Sequence, residues 1–308
     1  MRIVITGGAG FIGANLARTL LDAGDEVVVV DDFSTGVRSN LDGLDVTLLE
    51  GTILDPDLLD KAMAGAESAV HLAALPSVPR SINDPVSSHH ANATGTLEVL
   101  EAVRRADVPH VVVASSSSVY GANPELPKHE GLRTAPMSPY AVSKLATEAY
   151  ALAFAHCYDL DVLAFRFFNV FGPLQPAGHA YAAVVPAFVD AAIHGRPLPV
   201  QGDGTQSRDF TYVGSLTRVV ADAVHRRVSS PEPVNLAFGG RTTLRELIRL
   251  LETELGHEVG IETLPPRPGD VPHSQADSSR LLGLFPEVHP VALEEGLRAT
   301  VAWFREIS

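Results

Sequence analysis

Two short stretches carry residue types that can move a proton. Ser138-Pro139-Tyr140-Ala141-Val142-Ser143-Lys144 places a phenol and an amine four residues apart at a predicted helix start. Positions i and i+4 share a helix face, so Tyr140 and Lys144 point into one site. A neighbouring ammonium favours the phenolate, which suits Tyr140 to act as a base. Ser138 fits an N-cap and Pro139 a first helical turn. The chain has only three lysines, Lys61, Lys128 and Lys144, so the motif has few chances to arise by accident. Upstream, Ala114-Ser115-Ser116-Ser117-Ser118-Val119-Tyr120-Gly121 sets four serines at the end of a predicted strand. Open α/β sheets place ligands at the carboxyl ends of their strands. Ser115 reads as a plain strand-to-loop residue. Ser116 is expected to hydrogen-bond a substrate hydroxyl during proton transfer, and Ser117 and Ser118 to face the substrate.

A third pattern supplies an anion site. Gly7-Gly8-Ala9-Gly10-Phe11-Ile12-Gly13 is a G-x-x-G-x-x-G run between a strand and a helix. Such a run gives a tight turn, a backbone able to approach a pyrophosphate, and a helix N-terminus whose amides and dipole favour an anion. The second strand ends at Asp31, 18 residues after Gly13, where a carboxylate can accept bonds from an adenosine ribose diol. It would repel a 2′-phosphate, favouring NAD over NADP. Asp32 is the adjacent alternative, and Arg38 leaves NADP open.

These sites need a scaffold of alternating strands and helices. Arg2–Thr6, Glu26–Val30, Val46–Glu50, Ala69–Leu72, Val111–Ala114 and Val162–Arg166 read as strands. Helices are predicted at Asn15–Asp22 and near 56–64, 85–106 and 139–158. The alternation predicts an α/β fold, a doubly wound parallel sheet covered on both faces, because parallel strands need crossovers. After Asn169 the pattern weakens; Pro and Gly punctuate 172–204, and a final amphipathic stretch runs from Leu293 to Phe304. We expect a dinucleotide-binding domain over 1–168, rejoined at about 210–237. A smaller mixed α/β substrate domain is expected over 169–209 and 238–308.

Composition narrows the partners. The 308 residues are 45% hydrophobic and 19% charged, which argues for a folded chain. A net charge of −14 argues against general nucleic-acid binding. Cys157 is the only cysteine, excluding an internal disulfide and a Cys-based zinc site; on the Tyr140 helix it reads as a core residue. The twelve histidines include no H-x-x-x-H pair, and His89-His90 reads as helix surface, so no metal is expected. No signal-peptide pattern or membrane-length apolar run is present, which predicts a cytoplasmic protein without a membrane partner.

Together, G-x-x-G-x-x-G, S-S-S-x-V-Y-G and Y-x-x-x-K resemble the extended short-chain dehydrogenases/reductases, in their NAD-dependent nucleotide-sugar epimerase/dehydratase branch. The similarity continues through Phe168-Asn169-Val170-Phe171-Gly172-Pro173, the run from Gly202 to Val213, and Arg267-Pro268-Gly269-Asp270. It implies a Rossmann-type sheet and bound NAD. For the cofactor it implies Gly7, Gly10, Phe11, Ile12 and Gly13 at the pyrophosphate turn. Asp31, Asp32, Ser34, Thr35 and Gly36 would lie at the ribose, with Thr52 and Ile53 nearby. Leu72, Ala73, Ala74, Asn92 and Phe167 would join Tyr140 and Lys144 around the remainder. For a UDP-sugar it implies Asn169 and the guanidinium groups of Arg208 and Arg267 at the diphosphate, which bidentate arginine suits. Val184, Pro199, Val200 and Gln201 would line the uracil site and Asp270 meet its ribose; Ser77, Arg80 and Ser116–Ser118 would reach the sugar. Thr52 stands where the family usually has an acidic adenine contact, and Leu174 interrupts its usual G-P-R-Q.

In such enzymes the tyrosine removes the proton of the sugar 4-hydroxyl while hydride passes from C4 to NAD. Related 4,6-dehydratases carry an Asp-Glu pair before V-Y-G and decarboxylases a Glu; here Ser117 and Ser118 stand instead. The resemblance therefore implies rotation of the keto sugar and hydride return: C4 epimerisation of a UDP-hexose. A dehydratase, a decarboxylase and a non-catalytic dinucleotide-binding regulator remain the alternatives. Ser274 stands where enzymes restricted to glucose and galactose carry a bulky tyrosine, which leaves space for a C2 acetamido group, with Gln175 as a further contact. Pro76 stands where the UDP-N-acetylhexosamine 4-epimerase subgroup has a small glycine and the galactose subgroup a lysine. The serine hydroxyls with Arg80 would also suit a C6 carboxylate, so UDP-N-acetylglucosamine, UDP-glucuronic acid and UDP-glucose all stay open. The resemblance also implies a homodimer, paired through the helices at 85–106 and 139–158.

Overall fold

The structure, a computed structural model, describes residues 1–177, 182–265 and 272–308. Its first half alternates strand and helix. β1 (Arg2–Thr6) leads into α1 (Phe11–Asp22), β2 (Glu26–Asp31), β3 (Val46–Glu50), α2 (Pro56–Met63) and β4 (Ser68–His71). Two short helices, α3 (Val78–Asn83) and α4 (Pro85–His89), precede a π-helical turn over His90–Thr94 and then α5 (Gly95–Arg105). The helix expected over 85–106 is thus broken by a π turn, whose cause appears at the site below. β5 (His110–Ser116), α6 (Pro139–Tyr158) and β6 (Asp161–Phe167) complete the run.

The second half is built from shorter pieces. β7 (Val170–Phe171), α7 (Val184–Ile193), β8 (Leu198–Gln201), β9 (Ser207–Arg208) and β10 (Thr211–Tyr212) lead to α8 (Val213–Arg226) and β11 (Val234–Leu236). β12 (Thr242–Thr243), α9 (Leu244–Leu255), β13 (Ile261–Leu264), α10 (Ser279–Leu284) and α11 (Leu293–Ile307) follow. The main sheet has seven strands in the order β11-β6-β5-β4-β1-β2-β3, all parallel. This is a Rossmann-type, doubly wound sheet, whose order reverses beside β1.

Strand alternation sends side chains to two cores. Ile3, Ile5, Val27 and Val29 pack with α1 and α8, whereas Val4, Val28 and Val30 pack with α2, α5 and α6. A third core joins α7, α9 and α11 through Phe188, Leu247, Val301 and Phe304. It supports three two-stranded pieces, β7–β10, β8–β13 and β9–β12. Cys157, expected in the core, is exposed. The last buried residue of α6 is Phe154, so the final turn of that helix outruns the layer it packs on.

Candidate active site

The glycine turn opens α1 with nothing in the way of an anion. Gly10 is the N-cap, no side chain caps the first amides, and the first turn holds no acidic residue. Gly7 has φ 72°, and a Cβ there would lie 2.7 Å from the Ala73 nitrogen; at Gly13 it would lie 2.3 Å from the Gly7 oxygen. Only glycine lets β1, the turn and the segment after β4 come this close. Leu72, Ala73 and Ala74 follow β4 directly and are half-buried.

Asp31 ends β2 and is buried, with Oδ2 accepting from the Ala9 amide at 2.9 Å and Oδ1 from the Phe33 amide at 2.8 Å. Burial, helped by the Asp32 charge, pushes its carboxyl upward against those two hydrogen bonds. Asp32 is exposed and caps the Ser34 amide, so Asp31 is the carboxylate set at the turn. Gly36 folds back against Asp31; Ser34 and Thr35 are exposed beside it. Arg38 pairs with Glu50 and lies over the Phe33 ring at 4.2 Å. Ile53 is buried against Gly95, and the Thr52 hydroxyl accepts from the Leu54 amide. The turn thus offers amides without a side-chain cap at one end and a held carboxylate at the other, a pair of groups that could hold a dinucleotide.

α6 begins as expected, with Ser138 Oγ accepting from the Ala141 amide at 3.1 Å and Pro139 in the first turn. Ser116 lies close enough to Tyr140 for its side chain to act on the phenol. Burial pushes the Tyr140 phenol up, and the Ser116 side chain draws it back down. Lys144 is buried, and its Nζ donates to the Ala114 carbonyl at 2.8 Å rather than to Tyr140. Burial lowers its ammonium to about 8. Ser116, rather than the ammonium, is therefore the side chain that favours the phenolate. The Ser116 hydroxyl also accepts from the Ser118 amide at 3.1 Å, fixing the turn that presents Ser117 and Ser118. Ser115 is buried, its Oγ directed at the Lys144 carbonyl and the Glu148 carboxylate.

A buried polar web fastens this helix to the glycine turn. Thr6 Oγ1 bonds His71 Nδ1 at 2.7 Å, and His71 Nε2 bonds Thr96 Oγ1 at 3.0 Å. Burial and the Lys144 charge hold His71 neutral, at about 3. The Asn92 carbonyl accepts from Thr96 and Thr147 hydroxyls, which draws it out of the regular helical ladder at the π turn. The Asn92 side chain grips Leu75 through both backbone groups and donates to Ser143 at 2.9 Å. Asn92, assigned to the cofactor on resemblance, here holds the loop after Ala74. His71, Thr96 and Thr147 were missed, because nothing local marks them. Glu148 was missed although it continues the Tyr140–Lys144 spacing by another four residues.

The substrate-side residues lie on the shorter elements. Ser77 caps α3 with φ 98°, a strained backbone for a residue with a side chain, and its Oγ accepts from the Arg80 amide. Arg80 is half-buried on α3, which packs against α6. Phe167 is half-buried at the end of β6. Asn169 follows with φ 31°, its Nδ2 donating to the Asp209 carbonyl at 3.0 Å. Gln175 Nε2 donates to the Val170 carbonyl, while Oε1 is buried with no partner among the described residues. Val184 starts α7; on β8, Val200 packs in the third core with Pro199 and Gln201 half-buried beside it. Arg208 Nη1 donates to the Ser207 and Pro272 carbonyls. The Ser274 amide bonds the Ser207 carbonyl at 3.0 Å, which brings its segment beside β9. Arg267 and Asp270 lie outside the described residues. Among the described residues no group of three His, Cys, Asp or Glu can hold a metal, and no helix is long and apolar enough to cross a membrane.

Relatives share this arrangement end to end. A Mycolicibacterium smegmatis protein named UDP-glucose 4-epimerase is 38% identical over 320 residues, covering 100% of both chains. The UDP-N-acetylglucosamine 4-epimerase of Methanobrevibacter ruminantium, solved in complex with UDP-N-acetylmuramic acid, is 35% identical with TM-score 0.94, over 100% of this chain and 99% of that one. The Thermus thermophilus UDP-glucose 4-epimerase in complex with NAD is 34% identical with TM-score 0.90, over 100% of each. The NAD dependent epimerase/dehydratase family model matches residues 3–237. The chain therefore belongs to this NAD-dependent family, and NAD is its cofactor.

Proposed function

We propose that the protein is a UDP-hexose 4-epimerase. One observation carries this reading: the turn next to Tyr140 is built from Ser116, Ser117 and Ser118, which bring no carboxylate to it. A dehydratase needs an acid and a base there for loss of water, and two hydroxyls cannot supply them at neutral pH. Bound NAD would supply the acceptor, and then the donor, of the hydride exchanged at sugar C4. Tyr140 accepts the 4-hydroxyl proton and gives it back, Ser116 steadies that proton's path, and Lys144 adds positive charge beneath the site. Asn169, Arg208 and Arg267 hold the diphosphate; Val184 and Pro199–Gln201 flank the base, and Asp270 its ribose.

For the sugar, UDP-N-acetylglucosamine and UDP-glucuronic acid lead UDP-glucose. Gln175, anchored through Nε2, keeps its carbonyl as an acceptor for an acetamido N–H, and Ser274 leaves room for that group. Arg80 with the serine hydroxyls supports the carboxylate instead. The protein is further proposed to act as a homodimer, since Val142, Tyr150 and Tyr158 on α6 and Val86 on α4 are exposed apolar side chains. Incubating the protein separately with the three UDP-sugars and following the anomeric and H4 proton NMR signals tests the activity. A galacto-configured product without accumulating NADH is expected. A keto-deoxy or pentose product, or NADH released in step with turnover, would refute the assignment.

A further inference from the structure

Behind the reacting side chains lies a buried ion pair that the chemistry above does not use. The Glu148 and Arg166 side chains are 5% and 4% exposed. Arg166 Nη2 donates to Oε1 at 2.6 Å and Nε to Oε2 at 2.9 Å. A two-point guanidinium–carboxylate clamp fixes direction as well as distance. Glu148 Oε2 accepts in addition from Ser115 Oγ at 3.0 Å.

Each partner adjoins a residue of the site. Glu148 lies one helical turn beyond Lys144 and two beyond Tyr140, on the same stripe of α6. Ser115 precedes Ser116 on β5. Arg166 precedes Phe167 on β6 and lies over the Tyr120 ring at 4.7 Å, and Tyr120 closes the turn holding Ser117 and Ser118. The pair therefore ties the catalytic helix, both strand ends and the serine turn together at one point.

Attraction alone gives such a pair little net worth, because the desolvation of two charges offsets it, and apolar residues would hold α6 down equally well. Apolar contacts do not fix how far a helix is rotated about its own axis. A tyrosine hydroxyl lies on the order of 8 Å from that axis, so a 10° rotation moves it by roughly 1.4 Å. Misplacement by about 1 Å can cost about 100-fold in rate. We propose that Glu148 and Arg166 are positioning residues that set the rotation of α6 against β5 and β6 and so hold Tyr140 beside Ser116. This rests on Tyr140 being the proton acceptor proposed above.

The test is the Glu148→Leu/Arg166→Met double variant of the full chain with NAD bound. Its thermal midpoint is expected within about 5 °C of the parent, since the apolar pair replaces the buried charges. Its kcat is expected to fall about 30- to 100-fold while KM stays within about threefold. The Tyr140 phenol, followed by ultraviolet difference titration against Tyr140→Phe, should ionise about half a pH unit higher or more, because its approach to the Ser116 side chain, which favours the phenolate, is loosened. Unchanged kcat and titration in a stable double variant would overturn the proposal. If the double variant does not fold, Ser115→Ala removes one hydroxyl from the same clamp. It should lower kcat about 3- to 10-fold with a titration shift in the same direction; no change in either would overturn the proposal. A titration shift in a protein that epimerises none of the three sugars would sink the epimerase reading and leave the positioning role standing.

Discussion

The cofactor side and the sugar side of the molecule treat buried polar groups in opposite ways. Around the glycine turn and α6, Thr6, His71, Asn92, Thr96, Ser143 and Thr147 are all hydrogen-bonded to one another or to backbone. Across the site, Ser118 Oγ, Gln175 Oε1, Asp209 Oδ1 and Thr211 Oγ1 are buried without a partner among the described residues. A closed network holds reacting groups rigidly, and rigid placement is what proton and hydride transfer require. Open hydrogen-bonding capacity costs stability in the free protein and suits recognition of a polyhydroxylated ligand. Closed hydrogen bonding thus surrounds the glycine turn and α6, while the unpartnered groups lie at the serine turn and on the shorter elements of the second half.

The largest test of that division falls on the rigid side. Tyr140→Phe removes one oxygen and leaves the ring in place, so fold and NAD content should be kept. Turnover should fall by about 10²- to 10⁴-fold, the usual worth of general acid–base catalysis. Proton NMR of the sugar and absorbance of bound NAD measure both. A variant near the parent rate would remove Tyr140 from the proton transfer.

On the open side, Asp209 offers a thermodynamic test. Its carboxylate is fully buried, with Oδ2 accepting from the Ala276 amide at 3.0 Å. Burial raises it to about 6, against a downward pull from the Ala276 amide and those of Phe238, Gly239 and Gly240. Between about pH 4 and pH 6 the folded protein keeps a proton that the unfolded chain has released. Native protein then binds more protons, so this group makes stability fall as pH rises through that window. Asp209→Asn can still accept from Ala276 and cannot ionise. Its stability relative to the parent should therefore climb by on the order of 3 kcal/mol from pH 4 to pH 7. Urea unfolding at the two pH values measures it; a constant difference would show that Asp209 is not strained by its burial.

The two sides also differed in how far they could be read from sequence. β1, β3 and α6 lay where hydrophobic pattern and caps put them, because Ser138, Pro139 and the valine runs act locally. The π turn at His90–Thr94 was invisible, since hydroxyls of Thr96 and Thr147 create it and Thr147 comes from a distant helix. Cys157 was misplaced because periodicity does not reveal where α6 outruns its support. The strands β7, β9, β10 and β12 are two residues long, too short for any period to register. Motif blocks, not patterning, located Asn169 and Arg208. The Lys144 position followed from spacing, whereas its bond to the Ala114 carbonyl depends on how closely α6 meets β5.

The smallest effects bear on which sugar the open side accepts. Ser274 is half-buried on a segment bonded to β9, next to the Gln275 side chain that donates to the Gly239 carbonyl. A tyrosine there adds a ring to a region held from both ends, so a bulky C2 substituent should be the first group to lose space. Ser274→Tyr is expected to lower kcat/KM for UDP-N-acetylglucosamine about tenfold and leave UDP-glucose within about twofold, the scale of a single pocket group. Gln175→Leu keeps the volume and deletes the unpartnered acceptor, so it should hurt the N-acetylated sugar by a similar or smaller factor. Parallel kcat/KM measurements on the two sugars separate these effects from general damage, which would lower both. Equal losses on both sugars would mean that discrimination at C2 lies elsewhere, and would leave the Arg80 and serine cluster, with its fit to a C6 carboxylate, as the better guide to the substrate.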